Sequence, residues 1–515
     1  MATKSITSLL LLSVFLLSTS LVLSSRREDE RDESNPYVFG GESFIHRART
    51  QHGSIRVLRN FLQKSSLLMG IANYRLAMFE ANPRTFAVPK QSDAEQIFFV
   101  TQGEGTVTLL RNEESRDQSH NIKRESHNIR KGDIIRVQAG TVFYIINNSN
   151  NQKLQIVMLV QPVSVPGQFE DLYIGGGDKP ESVWRTFSTR ILEAALNTQQ
   201  EKLERLFGQQ KEGEIIQASE EQIRGLSGQP STEGRQPFNL LEKRPDRSNE
   251  RGQLYIANFE DYEELRDLDV HVTFTNIARG SMMAPFYESK ATEIMIVSDG
   301  RGEFEMVSPH LSSQNQSQCR RGQWGEESKE EEEGRCRYQK VKSSLTQGTV
   351  FIIPAGHPTA IIASEEQNLQ VVCFKVHARN SRKVFLAGRN NVVNEMEKEA
   401  KELSARAPRR RASSHRRRAP WPAPPTIFLL RPPPSPPPPS SGSSSFSTFS
   451  SSSFLSTQVA PASSRGMEKE AKELSFGVPS KLVENVFGGS KDEVFVRGPE
   501  QTQPGMKAFW EFAGF

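Results

Sequence analysis

Short apolar or alternating runs, separated by Gly, Asn, Pro and charged residues, dominate the chain between residues 35 and 404. QIFFV (96–100), DIIRV (133–137), VFYII (142–146), EIMIV (293–297) and LQVVCFKV (369–376) are representative. Runs this short, rich in β-branched and aromatic residues and bounded by turn formers, predict strands. They do not alternate regularly with helical patterns, so an antiparallel sandwich or barrel is expected rather than βαβ units.

The pattern occurs twice. QIFFVTQGEGTVTLL (96–110) matches EIMIVSDGRGEFEMV (293–307), and KGDIIRVQAGTVFYII (131–146) matches QGTVFIIPAGHPTAII (347–362). Gly103/Gly105 answer Gly300/Gly302, and Gly132/Gly140 answer Gly348/Gly356, supplying turn geometries that a Cβ obstructs. Upstream, NPYVF (35–39) answers QPFNL (236–240). The body is therefore two copies of one module. Between the paired motifs lie variable segments. The one in copy two contains EESKEEEE, a run read as a solvated loop because no calcium-ligand spacing is present.

Each copy ends in a helical pattern. TRILEAALNTQQEKLERLFG (189–208) places Ile191, Leu192, Ala195, Leu196, Leu203, Leu206 and Phe207 along one side. Its counterpart begins MEKEAKELS (396–404), gives way to an Arg/Pro/Ser tract, and returns verbatim at 467–475 before VENVFG, which mirrors LERLFG. Copy one runs 32 residues from Gly176 to Gly208 and copy two 100 from Gly388 to Gly488; removing the 71-residue offset of the duplicate leaves 29. Residues 405–466 thus read as an insertion, disordered by composition. Its Ser, Pro, Phe and Leu suit translated intron-like DNA. An SH3-type ligand at Pro432–Pro439 or a nuclear signal at Arg409–Arg418 fits poorly with a secretory leader.

That leader is MATKSITSLLLLSVFLLSTSLVLSS, a short apolar run with one Lys before it and small residues at its end, read as a signal peptide over 1–25. The expected organisation continues with a charged pro-segment (26–34) and an N-terminal module with helical extension (35–208). A polar linker (209–235) leads to the C-terminal module (236–404, continued at 467–489), the insertion (405–466) and a tail (490–515). Loops 111–130, 209–250 and 311–340 are expected to be open to proteases, the partners of mobilisation. With 65 basic and 61 acidic residues and a net charge of +4, no uniform basic field points to nucleic acid; no later run suggests a membrane partner. Of three cysteines, Cys319 and Cys336 bracket an acidic segment and are the disulfide candidates, while Cys373 reads as a small buried hydrophobe. Asn147 and Asn315 head sequons and are the glycosylation candidates.

The paired glycine-rich motifs resemble those of two-domain cupins. Segments such as NPYVFGGESFIHRARTQHGSIRVLRNF, SKATEIMIVSDGRGEFEMVSPHLSSQ and NVVNEMEKEAKELSFGVPSKLVENVF resemble plant vicilins, the 7S seed storage globulins, over roughly 35–404 and 467–490. The resemblance implies two jelly-roll β-barrels, each with a C-terminal α-helical extension that packs on the next subunit of a homotrimer. It further implies a nutrient reservoir in the protein storage vacuoles of seed. Abundant Asn, Gln and Arg, with 3 Cys and 11 Met, fit a nitrogen store. The apolar end of QPGMKAFWEFAGF (503–515) is expected to act in vacuolar sorting, as in similar vicilins.

Cupin enzymes hold a metal through two His and a Glu from the first motif and one His from the second. In copy one, Lys90 and Ser92 fall at the His pair, Gln96 at the Glu and Phe143 at the last His; only Asn147 matches the family Asn. In copy two, Glu293 matches the Glu, Phe286/Glu288 or Tyr287/Ser289 stand at the His pair, and Thr359 replaces the last His. One carboxylate does not make a first-row metal site, so neither a cofactor nor catalysis is expected. Many vicilins carry Cys-Pro-His where this chain has Ser308-Pro309-His310. His310 and His357 therefore remain weak copper candidates without the soft thiolate. A receptor for a sugar, hormone or other small ligand is the alternative to storage.

Overall fold

The computed structural model describes residues 35–114, 120–207, 210–226, 236–311, 338–388, 391–404 and 494–499. The expected disulfide pair Cys319 and Cys336, the sequon at Asn315, the leader, the body of the insertion and the C-terminal sorting segment lie outside them.

The first module is built of two antiparallel sheets. One runs in the order Asp171–Tyr173, Thr85–Ser92, Val142–Asn147, Glu104–Glu114, His120–Arg130. The other runs Phe238–Asn239, Asp133–Val137, Ala94–Gln102, Leu154–Pro162, Arg75–Ala81, Gly53–Leu58, Phe44–Arg49. In the second module the equivalents of Ala94–Gln102 and Glu104–Glu114 are one long strand, Thr292–Ser308, which joins both halves into a 12-stranded sheet. Gly300 (φ +88) carries that strand around the corner; a Cβ there would collide with the carbonyl of Asn368. Gly103 (φ +79) plays the same part in copy one.

Period-two alternation decides which core each residue enters. Phe98 and Val100 point into the first barrel with Val107, Leu109, Phe143 and Ile145. Ile97 and Phe99 point the other way, into a core shared with Leu254, Val272 and Phe274 of the second module. Phe99 and Phe274 stack with ring centroids 6.2 Å apart.

The modules also exchange their opening segments. Phe39 pairs opposite Val350 of the second module, and Phe238 pairs opposite Ile134 of the first. Each partner lies two residues past its module's glycine, Gly348 or Gly132. The repeated NPYVF and QPFNL segments are thus reciprocal edge strands, and neither module closes with its own.

Two loop expectations are corrected. Residues 111–114 and 120–130 are strand, with Glu104–Glu114 paired antiparallel along His120–Arg130. Exposed Arg124, Asn128 and Arg130 alternate with buried Glu125, His127 and Ile129, so even the inner face is largely polar and composition alone reads the stretch as a loop. The stretch 209–235 is not simply a linker: Ile215–Gln217 pairs with Thr85–Ala87, and Glu220–Leu226 is a helix covering Ile146. Ser219 and Gln222 cap that helix reciprocally, each side chain accepting the other's backbone N–H. The tail likewise contributes Phe495–Arg497, paired with Ser281–Met283 in the same register.

The helical extension of copy one is two helices, Thr189–Leu196 and Gln200–Phe207, separated by Asn197 in the left-handed conformation (φ 48). Leu192 and Leu203 are buried, whereas Phe187, Ile191 and Leu196 are 52%, 49% and 38% exposed. In copy two, helix Lys398–Ser404 belongs to a separate unit of the chain.

Candidate functional sites in the two barrels

In the first barrel the metal positions are filled by groups that cannot ligate together. Phe143 lies opposite Lys90 across the sheet and packs edge-on against Phe98 at 5.6 Å. Lys90 Nζ donates to Asp171 Oδ2 at 2.8 Å and lies 5.8 and 5.9 Å from the ring centroids of Phe143 and Tyr173. Gln96 is buried. Beneath, a cavity of about 20 Å³ is lined by Ile55, Phe79, Phe143, Met158, Tyr173 and Glu214. Burial pushes the Glu214 carboxyl and the Tyr173 hydroxyl above their ordinary pKa values.

The second barrel settles which residues stand at the His pair. Thr359, at the last-His position, pairs opposite Phe286 as Phe143 pairs opposite Lys90. The pair is therefore Phe286/Glu288. Glu293 is fully buried, and the cation facing it comes from the chain itself. Lys383 Nζ donates to Glu293 Oε1 at 2.8 Å and lies 3.4 Å from Glu288 Oε1. Lys375 Nζ donates to Glu288 Oε1 at 2.6 Å and lies 3.7 Å from Glu293 Oε1. Ser381 Oγ donates to Glu288 Oε2 at 3.1 Å. Two ammonium groups and two carboxylates thus neutralise one another out of water. Sequence reasoning missed both lysines; the only signal was a charged residue, Lys375, in phase with buried Cys373 on an apolar strand.

The weak copper candidates do come together. His310 follows the end of strand Thr292–Ser308, and His357 sits in the Pro354–Gly356 turn, where Gly356 has φ +74. Their ring centroids are 5.2 Å apart. Nδ1 of His357 lies 3.0 Å from the carbonyl of Ala355 and donates to it, leaving Nε2 as a buried lone pair without a partner. Burial holds the His357 pKa below its ordinary value. Tyr37, on the exchanged N-terminal segment, packs 6.1 Å from His357, and its hydroxyl is 3.1 Å from Ser308 Oγ. Among the described residues, no group of three or more His, Cys, Asp or Glu is placed to hold a metal ion.

Asn147 is corrected as a glycosylation candidate. It is 1% exposed, and its Nδ2 donates to the carbonyls of Ala81, Asn82 and Gln152 at 3.0, 3.0 and 2.8 Å. Its Oδ1 accepts from Ser149 N. The amide nitrogen that a glycan would occupy is committed inside the fold.

The Cupin family profile matches residues 70–202 and 238–405. A vicilin of Juglans regia, Jug r 6.0101, is 47% identical over 390 residues, covering 74% of this chain and 76% of its own length. The chain belongs to the vicilins. The crystal structure of hazelnut (Corylus avellana) vicilin superimposes with a TM-score of 0.67 at 39% identity, covering 90% of this chain and 100% of that one. A vicilin of Solanum melongena, whose crystal structure revealed different anionic ligands in structurally similar pockets, matches with a TM-score of 0.68 at 30% identity over 90% of this chain and 98% of its own. As a vicilin, the chain is a seed storage globulin with a mainly β, two-cupin architecture.

Proposed function

We propose that this vicilin is a nitrogen reserve deposited as a homotrimer in protein storage vacuoles, without catalytic activity of its own. One observation carries the non-catalytic reading: at the ligand positions of both barrels stand Lys90, Gln96, Phe143, Phe286 and Thr359, and the one surviving Glu293 is neutralised by internal lysines. The exposed Phe187, Ile191 and Leu196 supply the apolar face that a neighbouring subunit would bury. The leader over 1–25 would start the secretory route, and the C-terminal residues would direct sorting. Deleting the last five residues should divert the protein to secretion; unchanged vacuolar deposition refutes that role. Abundance and native mass in seed extract test the whole reading. A scarce monomer outside storage tissue would overturn it.

The insertion falls in a stretch whose ends the fold secures. In copy one, 41 residues separate Tyr173 from Ile215 (215 − 173 − 1); in copy two, 109 separate Phe385 from Phe495 (495 − 385 − 1). Lengthening a loop that much costs roughly 0.9 kcal/mol of closure entropy, as (3/2)RT ln(109/41). The module therefore tolerates the insertion thermodynamically. Our reading of it as translated intron-like sequence is tested by peptide mass spectrometry of the natural protein, where abundant peptides from 420–460 would end it.

A residual copper role is the second reading, favoured by the bare Nε2 of His357 beside His310. Copper would take the two imidazoles, which suit a borderline ion, but Ser308 offers no thiolate. Calorimetric titration with Cu²⁺ that shows no saturable heat in wild type, or the same heat in His357→Ala, refutes it.

A further inference from the structure

In each module a single barrel strand carries the chain out to its helical excursion and back. Asp171–Tyr173 leaves and Ile215–Gln217 returns along Thr85–Ser92. Lys383–Phe385 leaves and Phe495–Arg497 returns along Ser281–Glu288. The exits correspond residue by residue. Tyr173 lies opposite Lys90 as Phe385 lies opposite Phe286, and Asp171 lies opposite Ser92 as Lys383 lies opposite Glu288. The four barrel positions are those at which a cupin His pair would stand.

At each exit a buried ammonium–carboxylate contact ties barrel to strand, with polarity reversed between the modules. In the first, the barrel supplies Lys90 and the exit strand Asp171, 2.8 Å apart. In the second, the barrel supplies Glu288 and Glu293 and the exit strand Lys383, at 3.4 and 2.8 Å. Lys383 Nζ also sits 3.5 Å from the ring centroid of Phe286. The Lys383, Glu288 and Glu293 side chains are no more than 8% exposed, and Lys90 and Asp171 are 13% and 4%. Ser381 strengthens the second exit: its Oγ donates to Glu288 and accepts the N–H groups of Lys290 and Ala291.

We propose that the metal-ligand positions of this fold have become, in this chain, anchors that hold the exit strand of each helical excursion on its own barrel. A three-residue edge strand offers few backbone bonds to resist the pull of a long excursion. Lifting it also strands a buried charge without its counterion, which is far costlier than losing those bonds. The anchor replaces a ligand site with an internal ion pair. It explains why both barrels keep charge at these positions while neither keeps imidazole. The inference rests on the family assignment of the ligand positions and not on the trimer.

Limited chymotryptic digestion of the full chain, read by mass spectrometry, tests it. Lys383→Met should speed cleavage after Phe385 at least tenfold, and Lys90→Met should do the same after Tyr173, each without changing cleavage at the other exit. Lys383→Arg and Lys90→Arg, which keep the charge, should restore protection. Phe304→Leu, a buried core variant outside both ion pairs, controls for general loosening. Wild-type rates in both Met variants, or equal acceleration by Phe304→Leu, overturn the proposal. If Lys383→Met does not fold, the Lys90 pair of variants decides alone. Native mass of the same samples reads the trimer separately: a monomeric wild type would end that reading and leave the digestion result to stand.

Discussion

Replacing Lys375 by Met removes one of two ammonium groups from a site that holds two carboxylates. The ammonium lies 2.6 Å from Glu288 and 3.7 Å from Glu293, and Lys375 is 4% exposed. Breaking a buried pair by deleting one partner costs about 3–5 kcal/mol. Lys383 remains within 2.8 Å of Glu293 and 3.4 Å of Glu288, so the low end, about 3 kcal/mol, is expected at neutral pH. With a urea slope of about 3 kcal/mol/M, the unfolding midpoint should fall by roughly 1 M.

The pH dependence identifies the cause. Burial works against ionisation of Glu288, but Lys383 and then Lys375 outweigh it and hold its pKa below the ordinary 4.5. That contribution is present above pH 4.5 and is lost as pH falls through the lowered folded value. Burial likewise works against the Lys375 charge, but Glu293 and Glu288 outweigh it and raise its pKa above 10.5. Its contribution is present below pH 10.5 and is lost as pH rises through the raised value. In Lys375→Met, acidification lets one carboxylate take up a proton, so the deficit against wild type should shrink between about pH 7 and pH 4. Adding Glu288→Gln should recover at least half of the loss at pH 7. A loss below about 1 kcal/mol, or one unchanged by acid and by the second substitution, would refute the ionic account.

Three further outcomes are expected. Asn147→Ala leaves buried carbonyls and one N–H unsatisfied and should cost about 2–3 kcal/mol by urea denaturation, while glycopeptide mapping should find Asn147 bare. Gly300→Ala, with φ +88 and the Asn368 carbonyl against its Cβ, should lower the melting temperature well beyond Gly356→Ala, which has φ +74 but open space and should lose only about 1 kcal/mol of backbone strain. Ile191→Glu puts a charge on the exposed helical face and should convert the proposed homotrimer to monomers by analytical ultracentrifugation, with the barrels still folded by circular dichroism.

Much of this vicilin was legible in one dimension. Strand period, turn glycines and the internal repeat can be read along the chain and suffice to declare two β-modules; the resemblance to cupins is what places Gln96, Phe143, Glu293 and Thr359 at the ligand positions. The same period that predicts Phe98 inside also predicts Phe99 outside, but it does not say that a second core awaits Phe99 there. Polar stretches misled for a related reason: a hairpin whose inner face is largely polar and a capped helix such as Glu220–Leu226 look, by composition, like loops.

What only the tertiary structure decided are the partnerships between residues remote in sequence. Val38 and Phe39 belong to the sheet of Val350, some three hundred positions on, and Tyr37 thereby reaches Ser308 and His357. Asn147 reads as a surface sequon until Ala81, Asn82 and Gln152 close around its amide. Lys375 reads as the polar end of a strand until Glu288 and Glu293 are seen facing it. Burial, counter-charge and hydrogen-bond satisfaction are properties of a neighbourhood, and the neighbourhood is assembled by sheet pairing across the duplicated chain. A residue's own side chain and its spacing fix which face of a strand it occupies; what meets it there is set by the rest of the molecule.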